Sequence, residues 1–514
     1  MNSYLFAILA GAAITYILWL SIYRLFFHPL SQYPGPKFAA VTNWYTAFYA
    51  WRGDLHLQNR AWHDKYGEIV RSGPNTLWFN SHSMYSDIYN TGGVNVGKVD
   101  AWEVYSASRH SPNILSAVNK RVHAFKRRTL KSAFSDQGLS EIEETVIAHI
   151  NSLTTHLFPN DTESLPNGWS SSIDVATVFD WFAFDLIGDI TYGSSFGMLD
   201  SPQKRWVRPV YTKMSHRGVM CLMQPKIYKF KLDRIFLFPL YRDIISAGSW
   251  VYNRVKDRAH MGDKVERKDV FSIMTTSRDQ ASNEGYTMKD LWTESMVLLG
   301  AGTDTTSTTM SALFFYILHH HDALSRVTAE VRGTFDHEDE IRAGPKLNSC
   351  HFLQACVNET MRLTPGVPNG SPRRVLAGGL TVDGRHIPEG VTVASSLYVL
   401  LRKKEYFKQP DAFWPQRWIV DPESGADEQS VRMARQVFCP FGLGPRSCIG
   451  RRLAWMDINV GLARIIFLYD MRLAPRAPCC AANTTGKRCE YHFKGYSTAT
   501  PSQGTIAQFK RREL

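Results

Sequence analysis

The chain has 514 residues, 44% hydrophobic and 12% aromatic, enough to bury a large core, and it shows neither an internal repeat nor a second domain. Its 59 Lys+Arg against 47 Asp+Glu give a net charge of +12 and a pI of about 9.2. That surplus suits an anionic membrane or an acidic protein partner; nucleic acid is excluded because no nucleic-acid motif is present. Eight cysteines without regular spacing exclude a small disulfide-framed fold. Cys479, Cys480 and Cys489 have the proximity to bridge in an oxidising lumen, but free thiols are expected.

No charge precedes Arg24, and Leu5 to Tyr23 is almost wholly apolar, close to the ~20 residues that cross a bilayer as a helix. A basic n-region and a small-residue cleavage site are both lacking, so residues 1–23 read as a retained single-pass anchor rather than a signal peptide. Arg24, His28 and Lys37 follow it, and the positive-inside rule then places the rest of the chain in the cytoplasm. On that topology the sequons at Asn160, Asn358 and Asn483 never meet the glycosylating enzyme. Residues 24–37, with His28-Pro29-Leu30 and Tyr33-Pro34-Gly35-Pro36, form a stiff proline-rich linker, and 38–514 form the main domain.

Within that domain, Glu68 to Phe79 around Gly73-Pro74-Asn75 predicts a hairpin, and residues 100–116 an irregular loop. Lys120 to Lys131 is a basic helix with His123 and Arg127 four apart on one face. A long apolar helix is expected over about 172–200. Residues 226–250 mix basic and aromatic side chains, and 262–269 form a charged loop. Thr287 and Asp290 make a capping box opening a helix that runs to about Leu318. Its middle, Gly300-Ala301-Gly302-Thr303-Asp304-Thr305-Thr306, breaks helix rules and predicts a kink, with threonine hydroxyls bonding backbone carbonyls and a groove opening beside them. The two glycines do not make a dinucleotide loop, because no strand precedes them. His319-His320-His321 point to different faces and predict a helix end in water rather than a metal site. Glu359 and Arg362 share a helix face, and Asp383-Gly384 between alternating apolar residues predicts a second hairpin.

The stretch that carries chemistry is Phe438 to Arg452. Gly442 and Gly444 permit a sharp fold-back, and a helix is expected to start at about Ile449. Cys448 at that start would meet N–H groups and the positive dipole end, which favour thiolate. Gly450 lets a flat body lie close, and Arg446 stands where an anionic group on that body would pair with it. Cys439 precedes the loop and reads as a small wall residue. The pattern Phe441-x-x-Gly444-x-Arg446-x-Cys448-x-Gly450 resembles the heme-binding loop of the cytochrome P450 family at every defined position.

The resemblance covers roughly residues 28–470 and implies a mainly α fold with small β-sheets, preceded by one transmembrane helix. It implies heme b with Cys448 as the axial thiolate ligand of the iron, cradled by Phe441, Gly442, Gly450 and Arg446. His123, Arg127 and Arg373 match the positions that hold the propionates. Asp304 and Thr305 match the acid–alcohol pair, Thr305 hydrogen-bonding activated dioxygen while Asp304 relays protons from solvent. Glu359, Arg362 and Arg417 match a buried structural triad, and Ala301, Val367 and Asn369 would line the substrate pocket. Asp457 stands where the family usually has glutamate, and the tail after Asp470 follows no family pattern. The implied activity is a monooxygenase that uses O2 and NADPH-derived electrons from NADPH–cytochrome P450 reductase, with cytochrome b5 as a second donor. Arg432, Arg435, Arg451, Arg452 and Lys126 would steer that acidic partner. Location in the endoplasmic reticulum membrane is implied, as is a hydrophobic substrate of fungal secondary metabolism: a polyketide, terpenoid or peptide-derived scaffold. Desaturation, coupling or rearrangement of such a scaffold is the alternative outcome. An oxygen-independent isomerase or dehydratase and a non-catalytic membrane heme carrier both fit poorly with an intact Asp304-Thr305 pair.

Overall fold

The computed structural model describes residues 2–90, 94–108, 110–158, 168–262, 269–280, 282–475 and 490–513. Cys479, Cys480, Cys489, most of the charged loop 262–269 and the sequons at Asn160 and Asn483 lie outside them. The five described cysteines are free thiols.

Helices dominate, and the central one, Met288–His319, organises the rest. The Thr287 side chain caps the Asp290 amide, and the Asp290 carboxylate accepts in return from the Thr287 amide, so the capping box forms. The helix is continuous across its middle, where the Thr305 and Thr309 hydroxyls donate to the Ala301 and Thr305 carbonyls at 2.8 Å each, the bonding expected there. Its glycines serve packing. A Cβ on Gly300 would come within 2.9 Å of Tyr211, and one on Gly302 within 2.8 Å of Ile187. Those neighbours belong to the helix Val207–Met223, here called the roof helix, and to Val175–Tyr192, which is shorter than the expected 172–200 span. Phe179 and Phe314 pack at 4.9 Å with their rings tilted by 59° across the latter contact. This apolar core buries most of its aromatic and aliphatic side chains completely, the main stabilising term in a chain of this size.

Among the described residues, twelve short strands make four sheets. A five-stranded sheet has the order β1 (Ile69–Gly73), β2 (Thr76–Phe79), β8 (Thr392–Ala394), β5 (Arg373–Val375), β3 (Val96–Lys98), with only β2 and β8 parallel. β4 (Ile173–Asp174), β12 (Ile506–Arg511) and β9 (Tyr469–Leu473) form the second sheet. β6 (Leu380–Val382) and β7 (Arg385–Ile387) form the Asp383-Gly384 hairpin, with both turn residues at positive φ as a two-residue turn of this type requires. β10 (Phe493–Gly495) and β11 (Ala499–Pro501) form another hairpin.

The anchor helix Asn2–Ile22 ends in a π-helical turn, Tyr23–Phe27, and the 24-residue stretch Tyr4–Phe27 has a mean hydropathy of 2.2 with none of it buried. The linker behind it is seated on the domain. Arg71 donates to the Arg24 and Pro74 carbonyls, its amide donates to Pro34, and Arg24 donates to the Val41 carbonyl at 2.6 Å. His319 and His320 are half-buried, each bonded to a carbonyl one turn back, rather than free in water.

Candidate active site

The cysteine loop is shaped by its glycines. Gly442 and Gly444 have φ of 72° and 70°, and a Cβ on Gly444 would lie 2.1 Å from the Tyr89 carbonyl oxygen. The loop closes through Cys448 N donating to Phe441 O at 2.8 Å and Ser447 N donating to Gly444 O. The following helix, Arg451–Leu468, starts two residues later than expected, with Gly450 as its cap. Cys448 is exposed although protein packs densely around it, as for a side chain that faces a cleft. Ala301 is likewise accessible in the middle of the buried central helix, and Thr305, Gly366 and Val367 are half-exposed beside it, with a Cβ on Gly366 3.2 Å from Thr305.

Burial pushes the Cys448 thiol up, against the expectation of a dipole-favoured thiolate. The Gly450 amide and the Arg127 and Arg451 guanidiniums pull the other way without cancelling it. Desolvation outweighs a helix end and two partly solvated cations; a coordinated metal cation would reverse that balance.

Four basic side chains and a histidine gather beside Cys448. His123 and Arg127 come from the helix Lys120–Ala133, Arg373 from β5, Arg446 from the loop, and Lys98 from β3. Lys98 was not visible from sequence. It stands directly opposite Arg373 in the β3–β5 register, and both are buried. Its ammonium donates to the Leu115 carbonyl and lies 4.2 Å over Trp102. No carboxylate pairs with Lys98, His123, Arg127, Arg373 or Arg446 among the described residues. Burial, reinforced by Arg373 and Arg446, holds Lys98 well below its ordinary pKa. His123 falls to about 3 through burial and the Arg446, Lys98, Arg127 and Arg373 charges, and burial with Arg373 takes Arg446 to about 10. Like charges opposed across strands and desolvated are costly, so the arrangement is built for an anion. A heme fits it: an accessible thiol, a small residue on the central helix, and cations in excess for two propionates.

Arg373 and Arg374 separate cleanly: Arg373 turns inward, bonded to the Ser371 and Pro372 carbonyls, while Arg374 pairs outward with Asp100. Arg127 is bound to the Ser447 carbonyl at 2.7 Å and hydroxyl at 3.1 Å, and Arg446 to the Ala117 carbonyl at 2.7 Å. Phe441 packs on Trp455 and under Arg451, and Cys439 is a buried wall residue beside Tyr85.

Asp304 and Thr305 share no hydrogen bond. Thr305 Oγ1 donates to the Ala301 carbonyl at 2.8 Å. Asp304 accepts from Arg208 Nη2 at 2.8 Å and from Thr498 Oγ1 at 3.1 Å. Burial raises its carboxyl, and Arg208 and Thr498 lower it, leaving the net upward. Neither Arg208 nor Thr498 carried a sequence signal.

The Asn369 amide nitrogen donates to the Gly495 and Tyr496 carbonyls at 2.6 and 3.0 Å and pins the turn after β10, leaving its buried Oδ1 without a hydrogen-bond partner among the described residues. Lys126 is where the structure corrects the sequence reading. It is almost fully buried, 2.9 Å from the buried Glu294 carboxylate, and is not a surface charge. Arg432, Arg435, Arg451 and Arg452 are exposed, Arg452 pairing with Asp136. Behind the site, Glu359 accepts from Arg362 (2.9 and 2.9 Å), Arg417 (3.0 Å), Trp418 Nε1 (3.0 Å) and the Trp414 amide (2.9 Å). Burial alone would raise this carboxyl; Arg362 and Arg417 outweigh it and hold it below the usual range.

A family model described as Cytochrome P450 matches residues 34–486. Among curated relatives, the cytochrome P450 monooxygenase AKT7 of Alternaria alternata is 35% identical over 91% of this chain and 89% of its own length. The cytochrome P450 monooxygenase poxM of Penicillium oxalicum is 35% identical over 98% and 96%, and that of Emericella nidulans named atnE 34% over 99% and 97%. The crystal structure of the cytochrome P450DA heme domain superposes with a TM-score of 0.69, covering 89% of this chain and 93% of that one at 16% identity.

Proposed function

This chain belongs to the cytochrome P450 family and is an enzyme of its monooxygenase class, and on that premise we propose that it oxidises a hydrophobic scaffold of fungal secondary metabolism, a polyketide, terpenoid or peptide-derived compound. The observation that carries the reading is Cys448, accessible beside a cluster of Lys98, Arg127, Arg373 and Arg446 that has no acidic partner among the described residues. When bound, the heme supplies the redox chemistry, its thiolate-ligated iron activating O2.

The chain's own residues do the rest. Cys448 would give up its proton to hold the iron from the loop, whose shape Gly442 and Gly444 fix. Lys98, Arg127, Arg373 and Arg446 would hold and orient the propionates by charge-assisted hydrogen bonds, with the His123 ring N–H beside them. Asp304 would hold and pass a proton at its carboxylate, Thr305 would direct it from its hydroxyl, and Ala301 and Val367 would exclude water around the substrate. Glu359, Arg362 and Arg417 fix the scaffold behind the loop.

Electrons come from NADPH through an acidic flavoprotein reductase, docking at exposed Arg432, Arg435, Arg451 and Arg452. Residues 1–23 anchor the enzyme in the endoplasmic reticulum membrane with the catalytic domain, 38–514, on the cytoplasmic side. Exposed Trp44, Phe48 and Trp51 and exposed Phe230, Phe236 and Phe238 support a roof resting on that membrane. His216 of the roof helix joins the first group by a 2.7 Å contact with the Trp51 carbonyl.

Two measurements test this. The reduced protein with carbon monoxide shows the red-shifted band of a thiolate-ligated heme, lost in Cys448→Ala; a band kept in that variant refutes the ligand assignment. Mass comparison of the source organism with a strain lacking the chain should reveal an accumulated compound one oxygen short of the lost product. A precursor differing only by hydrogens or skeleton refutes oxygen insertion and establishes desaturation, coupling or rearrangement.

A further inference from the structure

We propose that Thr498, on the turn between β10 and β11, is a positioning residue for Asp304, sharing its carboxylate with Arg208 and tying the acid's orientation to the seating of the roof helix. The inference rests on the reading of Asp304 as the proton-relay acid.

Both carboxylate oxygens are occupied. Arg208 Nη2 donates to Oδ1 at 2.8 Å, and Thr498 Oγ1 donates to Oδ2 at 3.1 Å. Arg208 is itself gripped by Asp180, through Nε at 2.8 Å and Nη2 at 2.5 Å, so it cannot follow the carboxylate if that turns. The Thr498 hydroxyl has one proton and a fixed direction. It lies 3.0 Å from Ser215 Oγ, which in turn accepts the Thr498 amide proton at 3.1 Å. With the Thr498 proton spent on Asp304, Ser215 is the donor to Thr498, and the chain runs Ser215 to Thr498 to Asp304 with every proton used once.

The turn that carries Thr498 is held rigidly. Ala499 N donates to the Gly366 carbonyl, Thr308 Oγ1 to the Ala499 carbonyl, and Asn369 to Gly495 and Tyr496. Ser497 Oγ donates to the Ser215 carbonyl at 2.6 Å and also meets Tyr105 OH. The hydroxyl is therefore presented at a set place, not merely near the acid.

Arg208 and Ser215 are seven residues apart, two turns along one face of the roof helix, with Tyr211 between them against Gly300. One rigid element thus controls both oxygens of Asp304, one directly and one through Thr498. Thr305 is committed to the Ala301 carbonyl, which leaves Thr498 as the hydroxyl partner of the acid. A shift of the roof helix would release both oxygens together.

The test uses the heme-loaded full chain as Thr498→Val, which keeps the shape and removes the hydroxyl, and Thr498→Ser, which keeps it, each with and without Asp304→Asn. The first readout is the infrared band of a protonated carboxyl, followed against pH in the resting protein. The groups facing Asp304 are Arg208, Asp180 and Tyr211, all unchanged in these variants. Losing one hydrogen bond to the charged form should move the appearance of that band up by about 1–2 pH units in Thr498→Val. The band should stay near the wild-type position in Thr498→Ser and be absent with Asp304→Asn. The second readout is peroxide released per NADPH consumed with the flavoprotein reductase: it should rise in Thr498→Val, stay low in Thr498→Ser, and show no added effect of Thr498→Val on Asp304→Asn. An unmoved band, or equal effects in both backgrounds, overturns the assignment. If Asp304→Asn alone leaves peroxide release unchanged, the relay reading falls instead, and the infrared shift still decides whether Thr498 holds Asp304.

Discussion

Replacing Lys98 by methionine should move two quantities in opposite directions. In the heme-free chain Lys98 is a liability: it is buried, faces Arg373 across the β3–β5 register, and is held well below its ordinary pKa first by burial and then by Arg373 and Arg446. Methionine keeps the length and apolar stem and removes the charge. Burying an unpaired ion costs several kcal/mol even after relaxation, while the Leu115 carbonyl loses a donor worth about 1 kcal/mol. The heme-free variant should therefore be more stable than the parent. With heme bound, the same substitution removes one charge-assisted hydrogen bond to a propionate, about 1.5–3 kcal/mol, or roughly 10- to 150-fold faster heme loss. Heme transfer to excess apomyoglobin gives the second quantity, and denaturant unfolding of the heme-free chain the first. Heme loss at the parental rate, or a heme-free variant that unfolds more easily, would refute the reading of this cluster as an anion site.

Glu359→Gln should cost about 3–5 kcal/mol of stability, because the buried Arg362 and Arg417 guanidiniums lose their counter-charge; an unchanged urea midpoint contradicts this. Burial takes His56, His63 and His123 to about 3, 4 and 3. The unfolded chain takes up those protons first, near pH 6.5, so the heme-free protein should lose stability as pH falls from about 6.5 towards 3. His123→Leu should flatten part of that slope, measured by unfolding at a series of pH values. Lys126→Met should leave reductase on-rates at low salt unchanged but destabilise the fold, since Glu294 stays buried and unpaired. Arg451→Glu should slow electron transfer at low salt without unfolding, and the reverse pattern in stopped-flow reduction would restore Lys126 as a docking charge.

Sequence alone determined the features whose cause is local. The capping box at Thr287 and Asp290, the Asp383-Gly384 turn, the positive-φ glycines of the cysteine loop and the one-face spacing of Glu359 and Arg362 each need only a few adjacent residues. Tertiary structure decided whatever depends on a neighbour from far along the chain. Gly300 and Gly302 looked like helix breakers because Tyr211 and Ile187, whose close approach requires them, are distant in sequence. Lys126 looked like surface charge until Glu294 stood beside it, and only the folded chain shows the Asn369 amide nitrogen tied to the turn after β10. Lys98 acquires its meaning only from Arg373 across a sheet, and Asp304 from Arg208 and from Thr498, 194 residues further on. Periodicity and turn chemistry are written residue by residue, whereas burial and charge pairing are properties of the space the folded chain encloses.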